Sequence, residues 1–119
     1  MEALNMAENL VPVDELDESA QTTALTDFAN FYITLWRRNN LELITQYDQQ
    51  HGYIQDINRE LATNRSFTPE RELDTSIQFS RNDYIRLLDE IGVKFHSTGN
   101  PETDWSTWYD QHFAALSRS

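Results

Sequence analysis

Between residues 23 and 36 the large apolar side chains fall at steps of three and four: Leu25, Phe28, Phe31, Tyr32, Leu35 and Trp36. Such spacing lines one side of a helix. Thr22 or Thr23 is positioned to cap its start. Arg37 and Arg38 complete it, where cations complement the helix dipole. Asn39 and Asn40 break the pattern, and Asn39 with Glu42 has the spacing of a capping box for a second helix. The second stripe runs Leu43, Ile44, Tyr47, His51, Ile54, Ile57 and Leu61, with Gly52 inside it. An interior glycine costs about 1 kcal/mol against alanine, so the stripe reads as one kinked helix or as two shorter ones.

A third helix begins at Thr68, an N-cap residue followed by Pro69 and by Glu70 and Glu72 in the first turn. The pattern predicts it to be short, because residues 76–80 (SIQFS) read as extended. Ser80 then caps a fourth helix carrying Tyr84, Ile85, Leu87, Leu88 and Ile91, closed by Gly92. Residues 93–95 (VKF) read as a brief extended piece and 96–100 (HSTGN) as a loop. The last helix is expected to start at Asn100 and Pro101. Along it Trp105, Trp108, Tyr109, His112, Phe113 and Leu116 fall within about 140° of arc, while Thr107, Asp110 and Gln111 lie opposite.

The sum is a mainly α fold, a single-domain bundle of four to five amphipathic helices with short connections. The alternative is α+β with a small sheet after residue 65. Residues 21–119 form the helical domain. Residues 1–20 read as an acidic, flexible N-terminal arm, because Pro12 interrupts any continuous helix and acids alternate irregularly with Leu4, Met6, Leu10, Val11, Val13 and Leu16.

Charge changes the picture most. The net charge is −11, and it is uneven. Residues 1–27 hold Glu2, Glu8, Asp14, Glu15, Asp17, Glu18 and Asp27 with no base, so this stretch alone contributes −7. Direct binding to a nucleic-acid backbone requires Lys and Arg to neutralise phosphates, and here that is disfavoured; anionic membranes are disfavoured for the same reason. No Cys is present, which removes disulfides and thiolate chemistry and suits a reducing compartment. With no signal-peptide pattern at the start, the chain reads as cytoplasmic.

Candidate chemistry is sparse. His51, His96 and His112 lack the spacing that sets metal ligands on one helical face. Asp48 lies three residues before His51 and could share a helix edge with it. Asp48, Asp83 and Asp110 are acids without a convergent base, and no nucleophile elbow or phosphate loop exists. The sequence therefore predicts no catalytic, metal or cofactor site. It points to a protein-binding factor (adaptor, chaperone-like or inhibitory regulator) whose partner has a basic surface. The candidate contact residues are Trp105, Trp108 and Tyr109, with Asp14, Glu15, Asp17 and Glu18. Trp105 and Trp108 are the expected solvent-facing anchors, since Trp and Tyr dominate binding hot spots. One alternative is a nucleic-acid mimic or immunity-type inhibitor that fills a basic groove, for which the acids must lie on a folded face. Another is a small-ligand binder or enzyme with a pocket among Trp36, Tyr47, His51 and Trp108. Homodimerisation through the aromatic face is a further expectation.

Overall fold

The computed structural model describes residues 10–48 and 50–117. A 3₁₀ turn, Val13–Glu15, precedes five helices: α1 (Glu18–Arg37), α2 (Glu42–Thr45), α3 (Tyr53–Thr63), α4 (Pro69–Ile91) and α5 (Trp105–Ser117). The fold is mainly helical, and there is no strand among the described residues. The extended piece at Phe95 makes only isolated antiparallel bridges, to Val11 on one side and Pro101 on the other.

Helix α1 begins earlier than its apolar stripe suggests. Asp17 rather than Thr22 or Thr23 is its cap, accepting from the Ala20 N–H at 2.8 Å. Leu25, Phe28, Tyr32 and Leu35 are buried, and Ala20, Ala24 and Ala29 lie among them as small packing residues. The second stripe divides at Gly52, whose φ of +84° is open to glycine at little cost. Asp48 organises this break: its Oδ1 accepts from the His51 N–H and its Oδ2 from the Ile54 N–H, each at 3.0 Å. Asn39 does not cap α2; Leu41 stands at that position without a side-chain bond.

The largest departure from the sequence pattern is α4. Thr68 caps it by accepting from the Arg71 N–H, as the motif predicts, but the helix runs on through residues 76–80. Only Ser80 leaves helical geometry (φ −113°, ψ 19°), so the two expected helices join across a kink. Ile77 and Phe79 favour strand on local grounds. Packing against α1 and α3 overrides that weak preference. The buried side of the first half of α4 is polar: Glu72, Ser76 and Ser80 recur at steps of four and are all covered. Glu72, expected as an exposed first-turn acid, pairs instead with Arg37 at the end of α1. Ser76 Oγ and the Tyr84 hydroxyl share a 2.6 Å hydrogen bond, and Tyr32 donates to Asn58 Oδ1 at 2.7 Å.

Helix α5 starts at Trp105, later than expected. Pro101 is drawn into the bridge with Phe95, and Asp104 takes over the cap by accepting from the Thr107 N–H and hydroxyl. Gly99 (φ +97°) lets the preceding loop lie directly on the first turn of α1: a Cβ there would sit 2.3 Å from the Ala20 carbonyl oxygen.

The second half of the expected arm is docked. Val13 is buried in the core, and Val11 exchanges two backbone hydrogen bonds with Phe95 at 3.0 and 2.7 Å. Gln21 ties the segment down, donating to the Val13 carbonyl at 3.1 Å while accepting from Arg81 at 2.6 Å. Pro12 does not release the chain here but starts the 3₁₀ turn. Residues 1–9, with Glu2, Leu4, Met6 and Glu8, lie outside the described residues.

Candidate functional site

The four acids singled out at the N-terminus have different duties. Asp17 is committed to capping α1. Asp14, Glu15 and Glu18 are exposed on the docked turn and the first helical residue. The turn packs on α4 as well as on α1, which brings Asp14 near Asp89. Burial, chiefly, and then the charges of Asp14 and Glu90 push the Asp89 carboxyl above its ordinary range, against the opposing pull of Arg86 and Lys94. Acids from the start of the chain and from the end of α4 thus form one acidic region on folded backbone, with Arg86 and Lys94 at its edge.

The aromatic face of α5 is split along its length. Trp105 and Trp108 are buried, contrary to the expectation that they are the solvent-facing anchors. Trp105 packs on Phe28 at 4.8 Å between centroids and stacks on Phe31 at 5.4 Å; Trp108 meets Tyr47 at 6.1 Å. They close the end of the bundle because α1 and the Tyr47 region offer rings that need covering. His112 stacks on Trp108 at 4.3 Å, and its Nδ1 lies 2.8 Å from the Trp108 carbonyl. A carbonyl only accepts, so Nδ1 carries the proton in that contact. Tyr109 is half-buried and stacks on Phe113 at 5.7 Å. Among the described residues Phe113, 47 % exposed, and Phe79, 67 % exposed, are the large apolar side chains that face solvent; the first belongs to the aromatic face of α5 and the second to the stretch that reads as extended, and neither is among the expected contact residues.

His51 and Asp48 do meet, with Nδ1 3.7 Å from Oδ1. Burial works against the Asp48 charge, but the N–H groups of Ile54, His51, Tyr53 and Gly52 together outweigh it and hold the carboxyl below its ordinary value. That is the signature of a loop clasp, and His51 itself lies flat on Tyr53 at 5.1 Å. The depression here is lined by His51 with Thr45, Asp48, Gly52 and Gln55, so of the four residues expected around a pocket it holds His51 but not Trp36, Tyr47 or Trp108. Among the described residues no three His, Asp or Glu side chains converge as metal ligands would, and no helix is long and apolar enough to cross a membrane.

The solvent side of α1 carries a shallow trough made of three depressions that share Asn30. The central one, about 330 Å³, lies between α1 and the start of α5, with Asp27, Phe31, Thr34, Asp104 and Trp105 in its walls. A neighbour of about 360 Å³ is lined by Thr22, Thr23, Thr26 and Asn100 in addition to Asp27 and Asn30. At the other end Ile33, Arg37 and Leu73 line a smaller hollow. Arg37, the one base along this trough among the described residues, already pairs with Glu72. No protein-family model matches the chain, nor does any curated protein or solved structure.

Proposed function

We propose that this chain is a small acidic protein-binding factor, an adaptor, chaperone-like factor or inhibitory regulator, which works in the cytoplasm by contact with a basic protein surface. One observation carries the reading: Asp14 and Glu15 stand exposed on a turn that is fixed to the body by Val13, Gln21 and the Val11–Phe95 bridge, with Asp14 near Asp89 and Glu18 exposed on the first residue of α1. Acids held on folded backbone present a defined field, and their ordering entropy is already met before a partner arrives. With a net charge of −11, the protein attracts basic partners over roughly one Debye length, about 8 Å at physiological ionic strength. Complementary fields of this kind raise association rates and fix orientation.

The test is affinity purification of the tagged chain from its native host with mass spectrometry, run beside the variant D14N/E15Q/E18Q. The expected result is a discrete protein with a basic surface, eluted by salt and retained about tenfold less by the variant. Capture that is indifferent to both salt and the variant removes the basis of the proposal.

The second reading, a nucleic-acid mimic occupying a basic groove, is favoured by the same placement of acids on a folded face. It predicts that duplex DNA or RNA competes with this chain for the captured partner. A partner that DNA and RNA fail to displace excludes it.

A further inference from the structure

Residues 10–16 lie on the bundle as a strap, and three kinds of short-range contact hold them. Val11 and Phe95 exchange both backbone hydrogen bonds, one closed pair of an antiparallel ladder. Val13 is the buried side chain of the strap, and it joins the core where the 3₁₀ turn meets α1 and α4. Gln21 donates to the Val13 carbonyl and accepts from Arg81.

The remaining backbone bonds of the strap close on itself. The Glu15 and Leu16 N–H groups donate to the Pro12 and Val13 carbonyls. The cap of α1 is independent of the strap, because the Asp17 side chain supplies it to Ala20. Lifting residues 10–16 therefore breaks one bridge and one side-chain bond and uncovers Val13, and it leaves every helix with its own hydrogen bonds. Cooperative local opening follows such boundaries.

Charge works against the seat. The turn packs on α4 as well as on α1 and brings Asp14 to Asp89, and all four carboxylates Asp14, Glu15, Asp89 and Glu90 are exposed. Of the charges that act on Asp89, Asp14 of the strap and Glu90 of α4 repel it, while Arg86 of α4 and Lys94 beyond the helix attract it; Asp14 has the largest effect of the four. The ion pairs among the described residues are Arg37–Glu72, His51–Asp48 and Arg59–Asp56, so none ties a strap acid to a base. Arg81 reaches the strap only through the neutral amide of Gln21. The strap is thus held by apolar burial and hydrogen bonds. It is opposed by exposed like charges, which salt screens beyond about 8 Å at physiological strength.

We propose that residues 10–16 form a charge-opposed latch, which opens as a unit while the helices stay folded, uncovers the Val13 seat and the Phe95 backbone edge, and closes more firmly when the charges of Asp14 and Asp89 are screened or removed. This goes beyond the proposed function, since it is a property of the chain alone.

The experiment is native-state hydrogen exchange on the full chain, labelled with ¹⁵N, at about 0.02 M and about 0.5 M sodium chloride, which changes the Debye length several-fold. The variants are D14N, D89N, D14N/D89N and D74N. Asp74 is exposed on the same helix, about 22 Å from Asp89 along it, and controls for net charge. The Val11 and Phe95 amides report the bridge; the Phe28 and Leu87 amides report α1 and α4. The bridge amides should be at least about tenfold less protected than the helix amides, with exchange that low urea barely changes, as in a local opening. Their protection should rise about two- to fivefold with salt, and by a similar factor at low salt in D14N or D89N, the size of one exposed charge interaction. D74N should leave it unchanged. D14N/D89N should gain less than the product of the single variants, because each removes the same repulsion. Bridge amides that share the protection and urea slope of the helix amides overturn the latch, as does protection that falls with salt, equal effects of D74N and D89N, or gains that multiply in full in the double variant. None of these measurements involves a partner, so a failure here leaves the basic-partner reading to its own test.

Discussion

Replacing Gly99 by alanine is the sharpest test of how the C-terminal helix is seated, because Gly92 supplies a matched control. Both glycines have positive φ, +97° and +83°, so alanine at either place must adopt a left-handed backbone at about 1–2 kcal/mol. Their surroundings differ. A Cβ at Gly92 meets nothing within 4 Å, whereas one at Gly99 meets the Ala20 carbonyl oxygen at 2.3 Å and Thr23 Cβ at 3.0 Å. The first obstacle is backbone in a capped helical turn and cannot swing aside, so the loop must lift off α1 by about 1 Å. Overpacking of that kind costs about 1–3 kcal/mol. G92A should therefore cost about 1–2 kcal/mol and G99A about 2–5 kcal/mol, a melting difference of about 4–12 °C for a domain of this size. Urea unfolding followed by far-UV circular dichroism measures both, with unchanged m-values confirming that the unfolded state is the same. Asparagine sharpens the contrast, since it tolerates the left-handed region: G92N should be nearly neutral while G99N remains costly. If G99A and G92A lie within about 0.5 kcal/mol of each other, the close approach of the loop to α1 is wrong, and with it the placement of Asp104 and Trp105 against α1.

Three other perturbations read separate parts of the fold. R37A leaves the buried Glu72 carboxylate without its partner and should cost about 3 kcal/mol, the low end for a broken buried pair because the Arg37 side chain is 44 % exposed; R37L/E72M should recover most of that loss in the same urea assay, and an R37A cost under about 1 kcal/mol contradicts the pairing. Burial lifts the Tyr32 and Tyr84 hydroxyls well above the ordinary tyrosine value, so their contribution is complete below about pH 10 and declines above it, by about 1.4 kcal/mol per pH unit for each; absorbance at 295 nm should show two of the five tyrosines ionising only as the protein unfolds, and five that titrate together refute this. Asp48, held below its ordinary value by backbone N–H groups, adds stability that is complete above about pH 4 and is lost as pH falls through its lower folded value; D48A should cost about 2 kcal/mol at neutral pH and show a shallower acid limb, whereas an identical acid limb contradicts the clasp.

Helix existence was legible from apolar spacing and from local stop and start signals. Thr68–Pro69 and Gly92 sit where those signals put them, and Gly52 does divide the second stripe. What escaped was decided by contacts distant in sequence. Asn100–Pro101 is a sound helix start locally, yet Phe95 recruits Pro101 into a bridge and Asp104 inherits the cap. Residues 76–80 carry a strand-like pair, Ile77 and Phe79, but Glu72 and Ser76 turn inward because Arg37 and Tyr84 offer them partners, and Ser80 is covered one turn further on. A glutamate in a first turn gives no sign that it will be buried; only the position of Arg37, thirty-five residues earlier, decides it.

The same logic separates the two ends of α5 and bears on function. Trp105, Trp108, Tyr109 and Phe113 share one helical face, so periodicity alone cannot rank their exposure. Rank comes from where the neighbouring helices stop. Phe28 and Phe31 on α1 cover Trp105, and Tyr47 covers Trp108. Tyr109 still touches Phe31, at 6.3 Å, but Phe113 stacks outward on Tyr109. The tryptophans are therefore unsuited as anchors that project into a partner. Buried rings backed by other rings make a rigid wall that closes this end of the bundle. Their part is to hold the start of α5 against α1, and Phe113 is the ring of this face that reaches solvent.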